Sequence, residues 1–575
     1  MDVSLESKRK VVQVSQSLFS PRIRIEKVVL QNFKGVKNGV IEFNCLKTPT
    51  EKDTCSDIIG IYGQNGSGKT TLLEALHIAK LAMMGEKIPL KKYGNIISQD
   101  SDSARMTISF QVSNSDGSFY HLEYAFSLGF WEIADSTSKD DRKTKNLIKS
   151  ASNAITASAV TTSAITTALG ITSSAVSVST ATSALATALG ITGASIMMPG
   201  IALVGAAGIV ASQILKSTGS EKEALKTEGK VKRIAIFDEV LSLSGMFNGS
   251  MVRSGPIFDT RTTETAFLPK ARHKSFFPVK TTAVLKELQK YKSKALINAK
   301  SFIFSDELSQ LLLDQGSITE YAQIILNLKA FAIQKIRILD SRDTSNSSSD
   351  TIPLYTANHC INLRKKDSTI FLDEEGLQTL KTAIKGLNVV LQQVIPGLSL
   401  KAVRQVDIDI EDRNVRAHAT GTKVTVYSVR DNVRIPLAEE SAGIIRLISS
   451  MNLFAYAFVN PDVTVAIDEI DAGVYEYLLG ELLLIFEEYG SGQLIFTCHN
   501  LRPMEVLNKK YICFTTTNPE NRYLKPKSIR NENNLRDVYL REIVMGGQDE
   551  ELYSTAKHGK IASALQKAGE IIGQE

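Results

Sequence analysis

Cysteine and tryptophan are scarce in this chain, with five and one among 575 residues. Cys45, Cys55, Cys360, Cys498 and Cys513 are scattered and form no C-x-x-C pair, so neither a zinc site nor a disulfide framework is indicated. That usage suits a reducing cytosol. The first ten residues, ending in Lys8-Arg9-Lys10, have no apolar core, which gives no sign of a secretory signal; the expected location is cytoplasmic. Strong charge of one sign is also missing. A net charge of +6 permits an acidic partner without demanding one. Charge of either sign disappears altogether between residues 150 and 215. No Ser-His-Asp set stands out, and no cluster of His and Cys with metal-ligand spacing.

What is present begins with Gly63-Gln64-Asn65-Gly66-Ser67-Gly68-Lys69-Thr70, which fills every fixed position of G-x-x-x-x-G-K-[ST]. The apolar run Ile58–Tyr62 before it reads as a buried strand. The segment from Thr71 to Leu76 after it reads as a helix. Glycines let backbone N–H groups turn inward around phosphates, and the helix N-terminus adds positive potential. Lys69 would reach the β- and γ-phosphates, the Thr70 hydroxyl would ligate magnesium, and Thr71 completes the nucleotide set.

The second half of a nucleotide site lies four hundred residues on. Val463-Thr464-Val465-Ala466-Ile467 is a β-branched apolar run ending in Asp468-Glu469. Asp468 would hold the hydrated metal and Glu469 would polarise the attacking water. Read alone, the same residues also fit a strand that ends in an acidic turn. Asp471-Ala472-Gly473 follows, then a helical run from Tyr475 to Tyr489, then the apolar strand Gln493–Thr497 leading to His499. A histidine one helix beyond the acidic strand stands where a γ-phosphate sensor would sit. Upstream, Glu440-Ser441-Ala442-Gly443-Ile444 opens a long apolar helix running to about Phe458. Ser441 makes a good N-cap there and leaves backbone donors for an anion.

The order of these parts resembles the ABC-type ATPase heads of the SMC, RecF and OLD families, over residues 22–82, roughly 385–515, and a strand-rich stretch near 105–127. Within that group the chain looks most like the OLD-like AAA ATPases of anti-phage systems, such as the ATPase subunit of PARIS. Leu30-Gln31-Asn32-Phe33-Lys34 resembles their first strand, and Asp468–Gly473 their acidic motif and D-loop. Glu440–Ile444 resembles a shortened signature in which Ala442 replaces a glycine and Ile444 a glutamine. The resemblance implies an α/β fold, an ABC-type P-loop head with a mixed sheet and helices, a helical lid and an uncharged small-residue insertion. It implies ATP and Mg2+ as cofactors and a homo-oligomer in which two heads clamp two nucleotides. Lys69, Thr70, Asp468 and Glu469 would act in cis, with His499 as the γ-phosphate sensor, and Ser441 and Gly443 would act on the partner's nucleotide. Gln99 is the candidate Q-loop residue on the metal. It also implies a separate effector protein, such as a nuclease or other toxin, because OLD nucleases carry a further nuclease domain and here only 76 residues follow His499. A RecF/SMC-like DNA repair or chromosome-maintenance ATPase is the alternative.

The length suggests roughly three to four domains. Composition shifts divide the chain into a phosphate-loop lobe at 1–145, an Ala/Ser/Thr/Gly-rich insertion at 146–220, a return to the lobe at 221–275, a helical lid region at 276–400 and a C-terminal lobe at 401–575. The insertion repeats Thr167-Ala-Leu-Gly-Ile-Thr172 at Thr187-Ala-Leu-Gly-Ile-Thr192, and Ile196–Leu215 is almost wholly apolar. Residues 150–215 therefore fit a helical hairpin packed in an oligomer, a hairpin entering a membrane, or a low-complexity linker. Lys280, Lys286, Lys290, Lys292, Lys294 and Lys300 make the helical region basic, which suits a solvated face or a DNA-facing one. No aromatic stacking pattern accompanies them, which gives single-strand binding little support. Arg342-Asp343 closes that region. Thr344–Asp350 reads as a polar loop, and Asp407–Asp412 as a solvated strand edge.

Overall fold

The structure, a computed structural model, describes residues 21–43, 57–114, 119–134, 230–261, 273–278, 282–314, 318–341, 351–356, 360–364, 366–404, 422–526, 534–545, 550–553 and 558–572. The uncharged segment 150–215, Lys280, Arg342–Asp350 and Asp407–Asp412 lie outside them. The chain divides into one unit formed by Met1–Trp131 with Arg233–Glu575 and a second unit, Glu132–Lys232.

Two large sheets carry the first unit. One is antiparallel, in the order β2 (Val36–Glu42), β1 (Arg22–Phe33), β4 (Ser103–Ser113), β5 (Phe119–Ala134), β6 (Lys230–Phe247), β7 (Ser250–Asp259). Along β4 the burial alternates over most of its length, as expected of a sheet with one face on the core. The other has the order β18 (Tyr523–Leu524), β17 (Ile512–Thr515), β3 (Asp57–Tyr62), β16 (Gln493–Thr497), β15 (Thr464–Ile467), β8 (Ile336–Leu339). It is parallel from β17 to β8, and β18 pairs antiparallel at the edge. Its parallel strands are buried at every residue, which is why they read as continuous apolar runs rather than alternating ones.

The pleat of this sheet separates two cores. Ile59, Ile61, Ala466, Ile495 and Cys513 face one, together with the phosphate-loop helix Lys69–Met83 and the antiparallel sheet. Ile58, Tyr62, Val465, Ile467, Leu494 and Phe496 face the other, together with the helices Glu374–Val394, Ala442–Val459 and Glu476–Tyr489. Among the described residues only Ala442–Val459 is long and apolar enough to cross a membrane, and 56% of that stretch is buried inside the protein. Its composition is accounted for by the second core.

The stretch 276–340 departs from the expected run of helices. It holds Thr282–Ile297, Asp306–Leu313 and Glu320–Gln334, but then β8, the edge strand of the nucleotide sheet. Phe276, Leu308, Ile325, Leu328 and Phe331 lie in the same core as Leu72 and Leu76 of the phosphate-loop helix. Lys292 donates to Thr260 O at 2.7 Å and Lys294 pairs with Glu307 at 2.6 Å, so these two lysines are engaged within the protein. The region 368–400 is likewise less helical than expected. The helix Glu374–Val394 is flanked by β11 (Thr369–Leu372) and β12 (Ser399–Arg404), which both pair with β13 (Thr422–Arg430).

Candidate nucleotide site

The phosphate loop leaves the C-terminal end of β3. Gly63 has φ 154°, and a Cβ built on it would stand 1.8 Å from Thr515 Oγ1, so the position has no room for a side chain. Gly68, at φ 96°, takes the left-handed turn directly into the helix Lys69–Met83. Ser67 Oγ lies 2.5 Å from Thr515 Oγ1 and 2.6 Å from Gln64 O. Tyr523 Oη donates to Gly68 O at 2.8 Å, and Arg522 Nη2 to Gly35 O at 2.5 Å. Thr515 on β17 and Tyr523 on β18, far along the chain, thus brace the loop from outside, and Arg522 beside them ties the same edge to the turn between β1 and β2. Asn65 and Gly66 are exposed at its tip, and Thr71 is buried at the helix start.

Lys69 curls back over its own loop. Its Nζ donates to Gly63 O at 2.8 Å and Gln64 O at 3.1 Å, and the residue is 6% exposed. Burial lowers its pKa, opposed by the carboxylates of Asp468, Glu469 and Asp471. An incoming anion would replace the two carbonyls and compensate the buried charge.

Asp468, 1% exposed, directly follows β15 and collects hydroxyls. Thr497 donates to its Oδ1 at 2.6 Å, Ser341 to its Oδ2 at 2.8 Å, and Thr70 to Oδ2 at 3.2 Å. Thr70 and Asp468, almost four hundred residues apart, therefore meet. Their oxygens suit a small hard cation that keeps several waters and takes its other ligands from phosphate. Among the described residues no group of three or more His, Cys, Asp or Glu is placed to hold a metal by itself, and this site would share its metal with the nucleotide.

Glu469 stands next to Asp468 in the left-handed region, with φ 49°, a conformation a non-glycine residue holds only when its surroundings impose it. Its N–H donates to Thr497 Oγ1 at 2.7 Å. The turn lifts the half-buried side chain off the strand direction. His499 follows β16, the strand between β3 and β15, with an exposed ring. Its backbone N–H donates to Asp471 Oδ2 at 3.1 Å, as does that of Asn500 at 3.0 Å.

Ser441 caps its helix, accepting from Ile444 N at 3.3 Å. Ser441 is exposed and Gly443 half-buried, and among the described residues no hydrogen bond joins either to the loop 63–71. Gly443 packs backbone to backbone on Gly473, where a Cβ would lie 2.3 Å from Gly443 O. Glu440, just before the cap, accepts from Ser428 at 2.5 Å and Arg430 at 3.1 Å. Gln99 is exposed in a turn after Ile97, whose bridge to Phe33 fixes the turn beside β1. Its side chain makes no hydrogen bond to Thr70 or Asp468.

Sequence reasoning missed Thr497, Ser341, Thr515, Arg522 and Tyr523. Thr497 carried a signal, as the hydroxyl at the end of an apolar strand two residues before the histidine. Ser341 carries none, because it lies just beyond β8, inside the region whose sequence reads as helical.

A family model described as AAA domain matches residues 27–189. No curated protein matches the chain. Among solved structures the chain is similar to the Smc head domain with an extended coiled coil, bound to the C-terminal domain of ScpA, from Pyrococcus furiosus. That similarity has 14% identity and TM-score 0.31, over 87% of this chain and 96% of that one. The SMC head domain from Thermotoga maritima matches at 12% identity and TM-score 0.28, over 88% and 100%. The recombination mediator RecF bound to ATPrS matches at 10% identity and TM-score 0.29, over 88% and 98%. A complete phosphate loop, a carboxylate pair at the end of the acidic strand and an AAA-domain match together make this chain an ATPase.

Proposed function

We propose that this ATPase is an ABC-type head that closes on a second copy around two ATP–Mg2+ and, by opening on hydrolysis, gates a separate effector in anti-phage defence. The observation that carries the enzymatic part is the meeting of Thr70 with Asp468 beside a turned-out Glu469. Bound magnesium would neutralise phosphate charge; Thr70 and Asp468 would hold it, the latter through water. Lys69 would leave its loop carbonyls for the β- and γ-phosphates. Glu469 would orient and deprotonate the attacking water, and His499 would approach the γ-phosphate from the next strand. Ser441 and Gly443, exposed or half-buried and unattached to their own loop, are free to meet the phosphate of the second copy.

The effector and the defence role rest on the resemblance to OLD-like ATPases. Lys69→Ala should abolish ATP binding. Glu469→Gln should bind ATP, lose about 100-fold or more of turnover, as for a removed general base, and accumulate as an ATP-dependent dimer. Affinity purification of the Glu469→Gln protein from its host should then recover a stoichiometric toxic partner. Normal turnover in Glu469→Gln would remove it as the base.

A second reading, a DNA-maintenance ATPase, draws on the meeting of Lys87, Arg233 and Lys300. Partial burial lowers the Lys87 pKa, and the repulsion of the other two cations lowers it further. Recovery of DNA instead of a protein, with affinity falling steeply in salt, would favour it. A membrane-acting role for 150–215 predicts recovery in the membrane fraction that is lost when the segment is deleted.

A further inference from the structure

Arg446 is 3% exposed and sits in the second turn of the helix that Ser441 caps. Its guanidinium reaches across to the nucleotide sheet. Nη1 donates to Asp340 O at 2.8 Å, and Nη2 donates to the main-chain carbonyl of Asp468. These carbonyls belong to the first residues beyond the parallel strands β8 and β15, which are joined there by Asp468 N donating to Leu339 O at 2.9 Å. Side chains beyond the same two strand ends are engaged as well. Ser341 Oγ holds the Asp468 carboxylate at 2.8 Å, and the Asp340 carboxylate pairs with Lys92 at 3.2 Å.

A guanidinium has the planar fork that spans two carbonyls at once, and an ammonium does not. Burying a cation there is costly unless it is fully bonded. Two of its bonds go to the strand ends that carry the metal-side residues, and its own helix is the one that Ser441 caps. We infer that Arg446 is a positioning residue that locks the Ser441 helix to the Asp468 strand end. Through it, the half-site for the chain's own nucleotide and the half-site offered to a second copy move as one body. This inference rests on the two-head reading above.

The test uses Arg446→Lys, alone and with Glu469→Gln, in the full chain. Arg446→Lys should bind ATP within about two-fold of the unaltered chain, because the phosphate loop is untouched. Its kcat should fall at least ten-fold with KM within three-fold, and ATP-dependent association of the double variant should weaken at least ten-fold against Glu469→Gln. Association and turnover both within two-fold would overturn the inference. Failure of Glu469→Gln itself to associate would overturn the two-head reading, and the inference with it. Because a buried arginine can be needed for folding, a second measurement keeps Arg446 in place. In a Ser441→Arg chain, unable to associate, Mg-ATP should slow amide exchange across 442–450. Unchanged exchange there, with ATP bound, overturns the inference.

Discussion

Thr497 binds Asp468 through a 2.6 Å hydrogen bond while the same hydroxyl oxygen accepts the Glu469 N–H at 2.7 Å. One side chain on the neighbouring strand therefore sets both the carboxylate proposed to hold the metal water and the backbone turn that aims the proposed base. The turn needs such support, since Glu469 holds φ 49° without being glycine.

Replacing Thr497 by Val keeps the shape and removes both bonds. An unpaired buried N–H together with a carboxylate that loses one donor costs about 1–3 kcal/mol. Turnover is expected to fall at least ten-fold, with ATP affinity nearly unchanged because the loop 63–70 is not touched. Thr497→Ser should restore most of the rate. Equal rates for Val and Thr in a steady-state ATPase assay would show that the hydroxyl does not position Glu469.

Gly63 offers a test of the brace on the phosphate loop. A methyl group there would stand 1.8 Å from Thr515 Oγ1, with Ser67 Oγ and Thr515 Cβ next at 3.1 Å. Gly63→Ala is expected to cost about 2 kcal/mol or more in strain and overpacking, and to lower ATP affinity at least ten-fold. Adding Thr515→Ala removes the clashing oxygen and should recover part of both losses. Calorimetric melting and nucleotide titration on the three variants measure this; no recovery in the double variant would place the strain elsewhere.

Arg430 and Ser428 hold Glu440 at the residue before the Ser441 cap. Glu440 has a side chain only 6% exposed, whereas Arg430 is 39% exposed, so solvent screens the pair from one side. Arg430→Ala should lower stability by about 1 kcal/mol and weaken ATP-dependent association more than ATP binding. A thermal melt beside sedimentation in ATP separates the two effects, and an equal loss in both would make the clamp purely structural.

The strands of the nucleotide site were legible because each is short, buried throughout and apolar through its middle: β3, β15 and β16 announce themselves as runs that stop at Gly63, Asp468 and Cys498. The spacing of the loop then names Lys69 and Thr70. β8 was not legible. Ile336-Arg337-Ile338-Leu339 follows the helix Glu320–Gln334 with Lys335 alone between them, and nothing in that local pattern separates a four-residue strand from a last helical turn. Ser341 was hidden with it. The bracing by Thr515, Arg522 and Tyr523 was invisible for a different reason. It depends on which strand lies beside β3, and β17 reaches that place through tertiary pairing of Gly60 with Ile512 rather than by any local signal.

The outer sheet carries a titration that can be read without nucleotide. His121 Nδ1 lies 2.8 Å from Glu26 Oε2 across β5 and β1, strands that both pair with β4. The hydrogen bond to Glu26 raises the His121 pKa above 6.5, helped by the carboxylate charge and opposed by partial burial. A histidine whose folded pKa is raised stabilises the fold fully below its unfolded value of 6.5, and that contribution is lost as pH climbs through the folded value. Both side chains are 36% exposed, so solvent screening limits the contribution to under about 1 kcal/mol. Glu26→Gln removes the charge and keeps the shape. The melting-temperature gap between the unaltered chain and Glu26→Gln should therefore be largest near pH 6 and close toward pH 8.5. Other groups that titrate over this range do so in both proteins and cancel in the difference. A gap that stays constant from pH 6 to 8.5 would mean that the pair contributes packing alone.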